Sequence, residues 1–132
     1  MGHFVPQKTV QVTHPDFPGE YIAIKAKFSL ADRNRITGAM VALNDQRQMD
    51  VDMGAYFNLI LELAITNWKL YARDPDTDEI VYEGEGDNKK PVEIPYKKEY
   101  IQDFDPDDPL IDEVMKKIAE LNPTLLGSTT NT

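Results

Sequence analysis

The 132-residue chain has no cysteine, which removes disulfides, zinc–thiolate sites and thiol catalysis and suits a reducing compartment. Histidine is scarce. His3 and His14 are the only two, both in expected loops, and neither has a partner at metal-ligand spacing. No nucleophile–base pair can be assembled from them. The opening residues, MGHFVPQKTV, lack the basic segment and apolar run of a secretion signal, so the cytoplasm is the expected location. Gly84 and Gly86 precede neither Lys-Ser/Thr nor a helix start, which excludes a phosphate loop. Asn58, Glu62, Asn67 and Lys69 interrupt the strongest apolar run, and a charge at mid-bilayer costs roughly 2.5–3.5 kcal/mol. No membrane span is expected. These absences point away from an enzyme and from any metal or cofactor.

What is present begins with that same run, residues 54–71, GAYFNLILELAITNWKLY. It is too long for one strand and too full for a one-faced surface helix, which predicts a central helix buried on most sides. Upstream, residues 8–13 read as a strand and 14–19, with two prolines and a glycine, as a turn. Residues 20–28 alternate, placing Ile22, Ile24, Ala26 and Phe28 on one face and Lys25 and Lys27 toward water. Ser29 and Asp32 form a capping-box pattern before a helix over 30–43, with Ile36, Met40 and Leu43 on its buried face. Gly38 in that helix costs about 1 kcal/mol against Ala, which predicts a close packing contact. Residues 44–53 are polar and read as a loop, from which Asp50 or Asp52 begins the central helix.

Beyond Tyr71 the pattern predicts a turn over 72–79, a short strand over 80–82 and a mobile glycine loop over 83–90. Val92, Ile94 and Tyr96 alternate within 91–100, but Pro91 and Pro95 restrict this segment to an edge strand or extended chain. Asp108 and Pro109 start the last helix, Pro109–Leu121, striped by Leu110, Ile111, Val114, Met115, Ile118 and Leu121. Asn122-Pro123 stops it. The order predicts one α+β domain over 1–123: an N-terminal β-hairpin, a central buried helix, short antiparallel strands and a C-terminal helix. Residues 124–132 read as a flexible tail.

Charge is unevenly placed. The net charge is −9, yet residues 1–73 balance at +1 while residues 74–120 reach −10. Nucleic acid is not an expected ligand, because phosphate binding needs a basic face. The acidic half serves solubility, contact with a basic partner, or imitation of nucleic acid. Asp74, Asp76, Asp78 and Glu85 fall at calcium-loop spacing, but Glu79 stands where the sharp turn needs glycine. A chance match in an Asp-rich turn is the better reading. Trp68, Tyr71 and the stripe Leu110, Ile111, Val114 and Ile118 are the candidate partner or self contacts, with plain core packing as the alternative.

Three stretches together resemble one family. They are Ser29-Leu-Ala-Asp-Arg-Asn-Arg-Ile36, then Ile65-Thr-Asn-Trp-Lys-Leu-Tyr-Ala-Arg-Asp74 read as a helix ending in tryptophan and an acidic turn, then Ile111 to Pro123 with its Asn-Pro stop. The pattern, over about residues 20–123, resembles the tail assembly chaperones of long-tailed bacteriophages. The family's short D-x-D-G turn is replaced here by Asp74-Pro-Asp-Thr-Asp-Glu-Ile. The resemblance implies a non-enzymatic protein in the cytoplasm of an infected bacterium. It would keep the tape measure protein soluble, recruit the major tail protein, and present an exposed apolar groove through which it also self-associates. A structural virion component, such as a tail-tube, tail-completion or connector protein, is the alternative within phage assembly. An acidic nucleic-acid mimic that inhibits host defence is the alternative outside it.

Overall fold

The structure is a computed structural model describing residues 3–5, 8–46 and 49–123, with the side chains of residues 40–55 outside that description. The elements are β1 (Thr9–Thr13), β2 (Tyr21–Lys25), α1 (Leu30–Gln46), α2 (Met49–Ala64), β3 (Ile65–Tyr71), β4 (Tyr82–Glu83), β5 (Lys90–Pro91), β6 (Glu93–Ile94) and α3 (Pro109–Leu121). Two 3-10 turns, Gly86–Asn88 and Lys98–Asp103, complete them. The fold is α+β. A four-stranded antiparallel sheet has the order β1-β2-β3-β6, and β4 with β5 forms a separate two-stranded ribbon.

The N-terminal hairpin forms as the alternation predicts. Val10 faces Ile24 and Val12 faces Ile22, and the turn closes through His14 N to Glu20 O (2.9 Å). Ile22 and Ile24 are fully buried, the inward half of the period-two pattern. The second strand ends at Lys25 rather than Phe28, and Lys25 does not simply face water. Its ammonium donates to Asp32 Oδ2 at 2.8 Å. Asp32 and Ser29 exchange the two bonds of the expected capping box, each at 3.2 Å, so the start of α1 is a local decision of the sequence.

Three expectations need correction. The central run is not one helix: α2 ends at Ala64, and Ile65–Tyr71 is a strand. The seven residues ITNWKLY are rich in β-branched and aromatic types, and the open edge of β2 supplies them with a pairing partner. The switch needs no Gly or Pro, because Leu63, Ala64 and Ile65 stay in one core as the backbone changes. The 44–53 loop is instead helical up to Gln46 and again from Met49, having no Gly or Pro to break it. Gly38 makes no close packing contact among the described residues: a Cβ there would meet none of their atoms within 4 Å.

Pairing between β2 and β3 carries a bulge. Ala23 faces Asn67 but Ile24 faces Ile65, which leaves Thr66 as an extra residue whose hydroxyl donates to Ala23 O at 3.3 Å. The bulge resets the face of the strand, so Ile65 and Trp68, three apart, both reach the core. At the far end, buried Glu20 accepts from Tyr71 N at 2.9 Å and pairs with Arg73, whose guanidinium lies 4.3 Å over the Phe17 ring.

The loop expected to be mobile over 83–90 is a tight hairpin built around the 3-10 turn. Gly84 has φ 100°, and a Cβ there would stand 2.7 Å from Asn88 O, so only glycine fits. The proline-limited segment does supply the edge strand β6, but its second half winds into the 3-10 turn that buries Ile101. Then α3 begins at Asp108, which accepts from Leu110 N at 2.8 Å, and packs across β1 and β2. Residues 124–132, expected to be a tail, lie outside the described residues. No helix among the described residues is long and apolar enough to cross a membrane.

Candidate partner-binding groove

The six residues singled out from sequence do not form one surface. Trp68, Leu110, Ile111, Val114 and Ile118 are buried in the core, and Tyr71 is half-buried near the Glu20–Arg73 pair. Leu110, Val114 and Ile118 close α3 onto the sheet, as an amphipathic helix does. Contact through them requires α3 to leave the core.

Ile111 is different, because it sits on the flank of α3 that turns toward α2. There an open apolar groove of about 620 Å³ lies between the two helices and the segment that precedes α3. Phe57, Asn58 and Leu61 from α2 form one wall, and Ile111 and Met115 from α3 form another. Ile101, Gln102, Phe104 and Pro106 supply the third. No lining residue is charged. The volume falls within the range of pockets that bind ligands or take anchoring side chains.

Each wall has a local cause. Phe57 and Leu61 are four apart and share a face of α2, while Ile111 and Met115 repeat that spacing on α3. Phe57 is 39% exposed, a large apolar ring that the fold leaves without cover. Phe104 is held from behind: its ring centroid lies 5.3 Å from that of Trp68, which also meets Tyr96 edge-on at 4.8 Å. Trp68 Nε1 donates to Ile94 O at 2.9 Å, and the Tyr96 hydroxyl donates to Ile65 O at 3.2 Å. These bonds tie β3 to the chain that forms the third wall. Burial raises the Tyr96 hydroxyl above its ordinary range, keeping it a neutral donor. Trp68 is thus one ring removed from the groove, as its support.

The sequence pattern does not mark Phe57, Leu61, Phe104 and Pro106 as site residues. The first two are indistinguishable in sequence from the core residues beside them. The last two lie in the Asp103–Asp108 stretch, where the charges suggest only a solvated loop. Their signal was the alternation of apolar and acidic residues.

The acidic turn after β3 is organised by its own backbone. Asp74 Oδ1 accepts from Asp76 N at 2.8 Å and Thr77 N at 3.4 Å, and Asp78 takes φ 61° to close the turn. Among the described residues no group of three or more His, Cys, Asp or Glu is placed to hold a metal ion.

Fold and groove define the class: an α+β domain with an open, uncharged apolar cleft between two helices and a 3-10 turn. Compared with protein-family models, curated proteins and solved structures, the chain matches none.

Proposed function

We propose that the protein is a non-enzymatic phage morphogenesis factor, a tail assembly chaperone acting in the cytoplasm of the infected cell. Its groove takes the apolar face of a helix from the tape measure protein, and the major tail protein joins before the chaperone leaves. The observation that carries this reading is the uncovered groove around Phe57 and Ile111, a shape suited to a helix anchored by residues at i, i+3, i+4 and i+7. The resemblance over Ser29–Ile36 and Ile111–Pro123 supplies the partner's identity, while Trp68 serves on a strand and not at a helix end.

The test is co-expression with the tape measure protein of the same gene neighbourhood, followed by size-exclusion chromatography. The tape measure protein should become soluble and co-elute, and Phe57→Asp should abolish co-elution while leaving the far-ultraviolet circular dichroism unchanged. If the tape measure protein stays insoluble while this chain elutes alone or as a closed ring, the chaperone reading falls. A tail-tube or connector component then takes its place.

A further inference from the structure

The groove's third wall has two faces. Gln102, Phe104 and Pro106 point their contacts into the cleft, while Asp103, Asp105 and Asp107 interleave with them and are exposed. None of the three aspartates has an ion pair among the described residues. Among the described residues the one hydrogen bond made by their side chains is Asp105 Oδ1 accepting from Asp107 N at 2.9 Å. On the facing helix, Lys116 does not offset them, since Asp112 (3.0 Å) and Glu113 hold its ammonium. Lys97 and Lys98 stand at the opposite end of the 3-10 turn, with Lys97 over the Tyr100 ring. The residues that alternate with the apolar lining therefore carry exposed negative charge with no ion pair among the described residues.

From this we infer that the groove selects a basic amphipathic helix: an apolar stripe for the floor, flanked by Lys or Arg that meet the aspartate rim. The inference deepens the chaperone reading and rests on it for the use of the groove. It says which part of a partner is recognised. This departs from the self-association through the groove that the family resemblance implies, because two-fold pairing there would bring two acidic rims together. An anionic membrane surface is opposed by the same charges. A free apolar helix of any charge would fill the floor but would leave the rim unpaired, so the carboxylates supply selectivity and association rate more than raw affinity.

The experiment uses the full chain and three fluorescein-labelled synthetic peptides of equal length, read by fluorescence anisotropy. One carries a leucine stripe at i, i+3, i+4 and i+7 flanked by lysines, the second has glutamates in place of the lysines, and the third scrambles the lysine peptide. The lysine-flanked stripe should bind roughly tenfold or more tighter than the glutamate-flanked one, and the gap should narrow as salt rises. The scrambled peptide should bind far more weakly than its ordered parent. The combined substitution D103N, D105N and D107N keeps side-chain acceptors and changes no core residue. It should remove most of the preference for lysine over glutamate while leaving the chain folded, with a melting temperature no lower than that of the parent.

Equal binding of the lysine and glutamate peptides overturns the inference, as does equal binding of the scrambled peptide, which would indicate general attraction to an acidic protein. A preference that survives the three Asn substitutions overturns it as well. Co-elution of the tape measure protein together with any of these results leaves the chaperone reading standing and removes only the basic-helix selectivity. Peptide selectivity without co-elution does the reverse.

Discussion

Asn122 does more than stop a helix. It is 3% exposed; its Oδ1 accepts from Phe28 N at 3.1 Å, and its Nδ2 donates to Ile118 O at 3.1 Å. One amide side chain therefore joins the end of α3 to the corner between β2 and α1. Asn122→Ala would leave the Phe28 N–H buried and unpaired, which costs about 1–3 kcal/mol. Urea unfolding should show that loss as a lower midpoint with an unchanged slope. Asp32 holds the same corner through nearer residues, accepting from Lys25 and from the Ser29 amide. Burial alone would raise its carboxyl, but bonds from Lys25 and the Ser29 amide, with the Lys25 charge, hold it below the usual carboxylate range. A depressed folded value means stability present above the unfolded value, about 3.9, and lost as pH falls through the folded one. The stability gap between the parent and Asp32→Asn should thus be present at neutral pH and shrink below about pH 4. A gap unchanged down to acid unfolding would show that Asp32 contributes no charged interaction.

At the scale of elements, the legible parts were those decided by neighbours in the chain. The Ser29–Asp32 cap and the Asp108-Pro109 start rest on bonds within a few residues, and the alternation at Ile22 and Ile24 and the stripe of α3 show in the spacing of near neighbours. The switch at Ala64 was not legible, because β3 becomes a strand by pairing with β2, more than forty residues earlier in sequence. Apolar content from Tyr56 to Tyr71 reports burial, and burial is common to both conformations. The groove was half legible for the same reason. Ile111 lay on an obvious stripe, whereas Phe57 and Leu61 looked like core and Phe104 like part of a loop. Gly38 tests how far a local rule reaches. Its site in α1 is exposed and open, so Gly38→Ala should stabilise the chain by about 0.5–1 kcal/mol. Gly84→Ala should do the opposite, since its positive φ and the Asn88 carbonyl exclude a Cβ. Thermal melts of the two variants should move in opposite directions.

For the whole molecule, the governing asymmetry is electrostatic. The −10 balance of residues 74–120 falls largely on the Asp74–Glu79 turn, the β4–β5 ribbon and the aspartates bordering the groove. The exposed carboxylates there, from Asp74 to Asp87 and at Asp103, Asp105 and Asp107, carry no ion pair among the described residues. Such a surface repels itself in the folded state more than in the expanded chain, a cost that screening relieves. Raising salt from about 0.01 M to about 1 M shortens the screening length from about 30 Å to about 3 Å. The melting temperature should therefore rise with sodium chloride, and the rise should be smaller for the D103N, D105N and D107N variant. A fall would mean that the few pairs, Glu20–Arg73 and Lys25–Asp32 among them, outweigh the repulsion. The expected direction has a consequence for binding. If the rim carboxylates strain the free protein, a basic helix that neutralises them gains affinity from that relief as well as from the apolar floor.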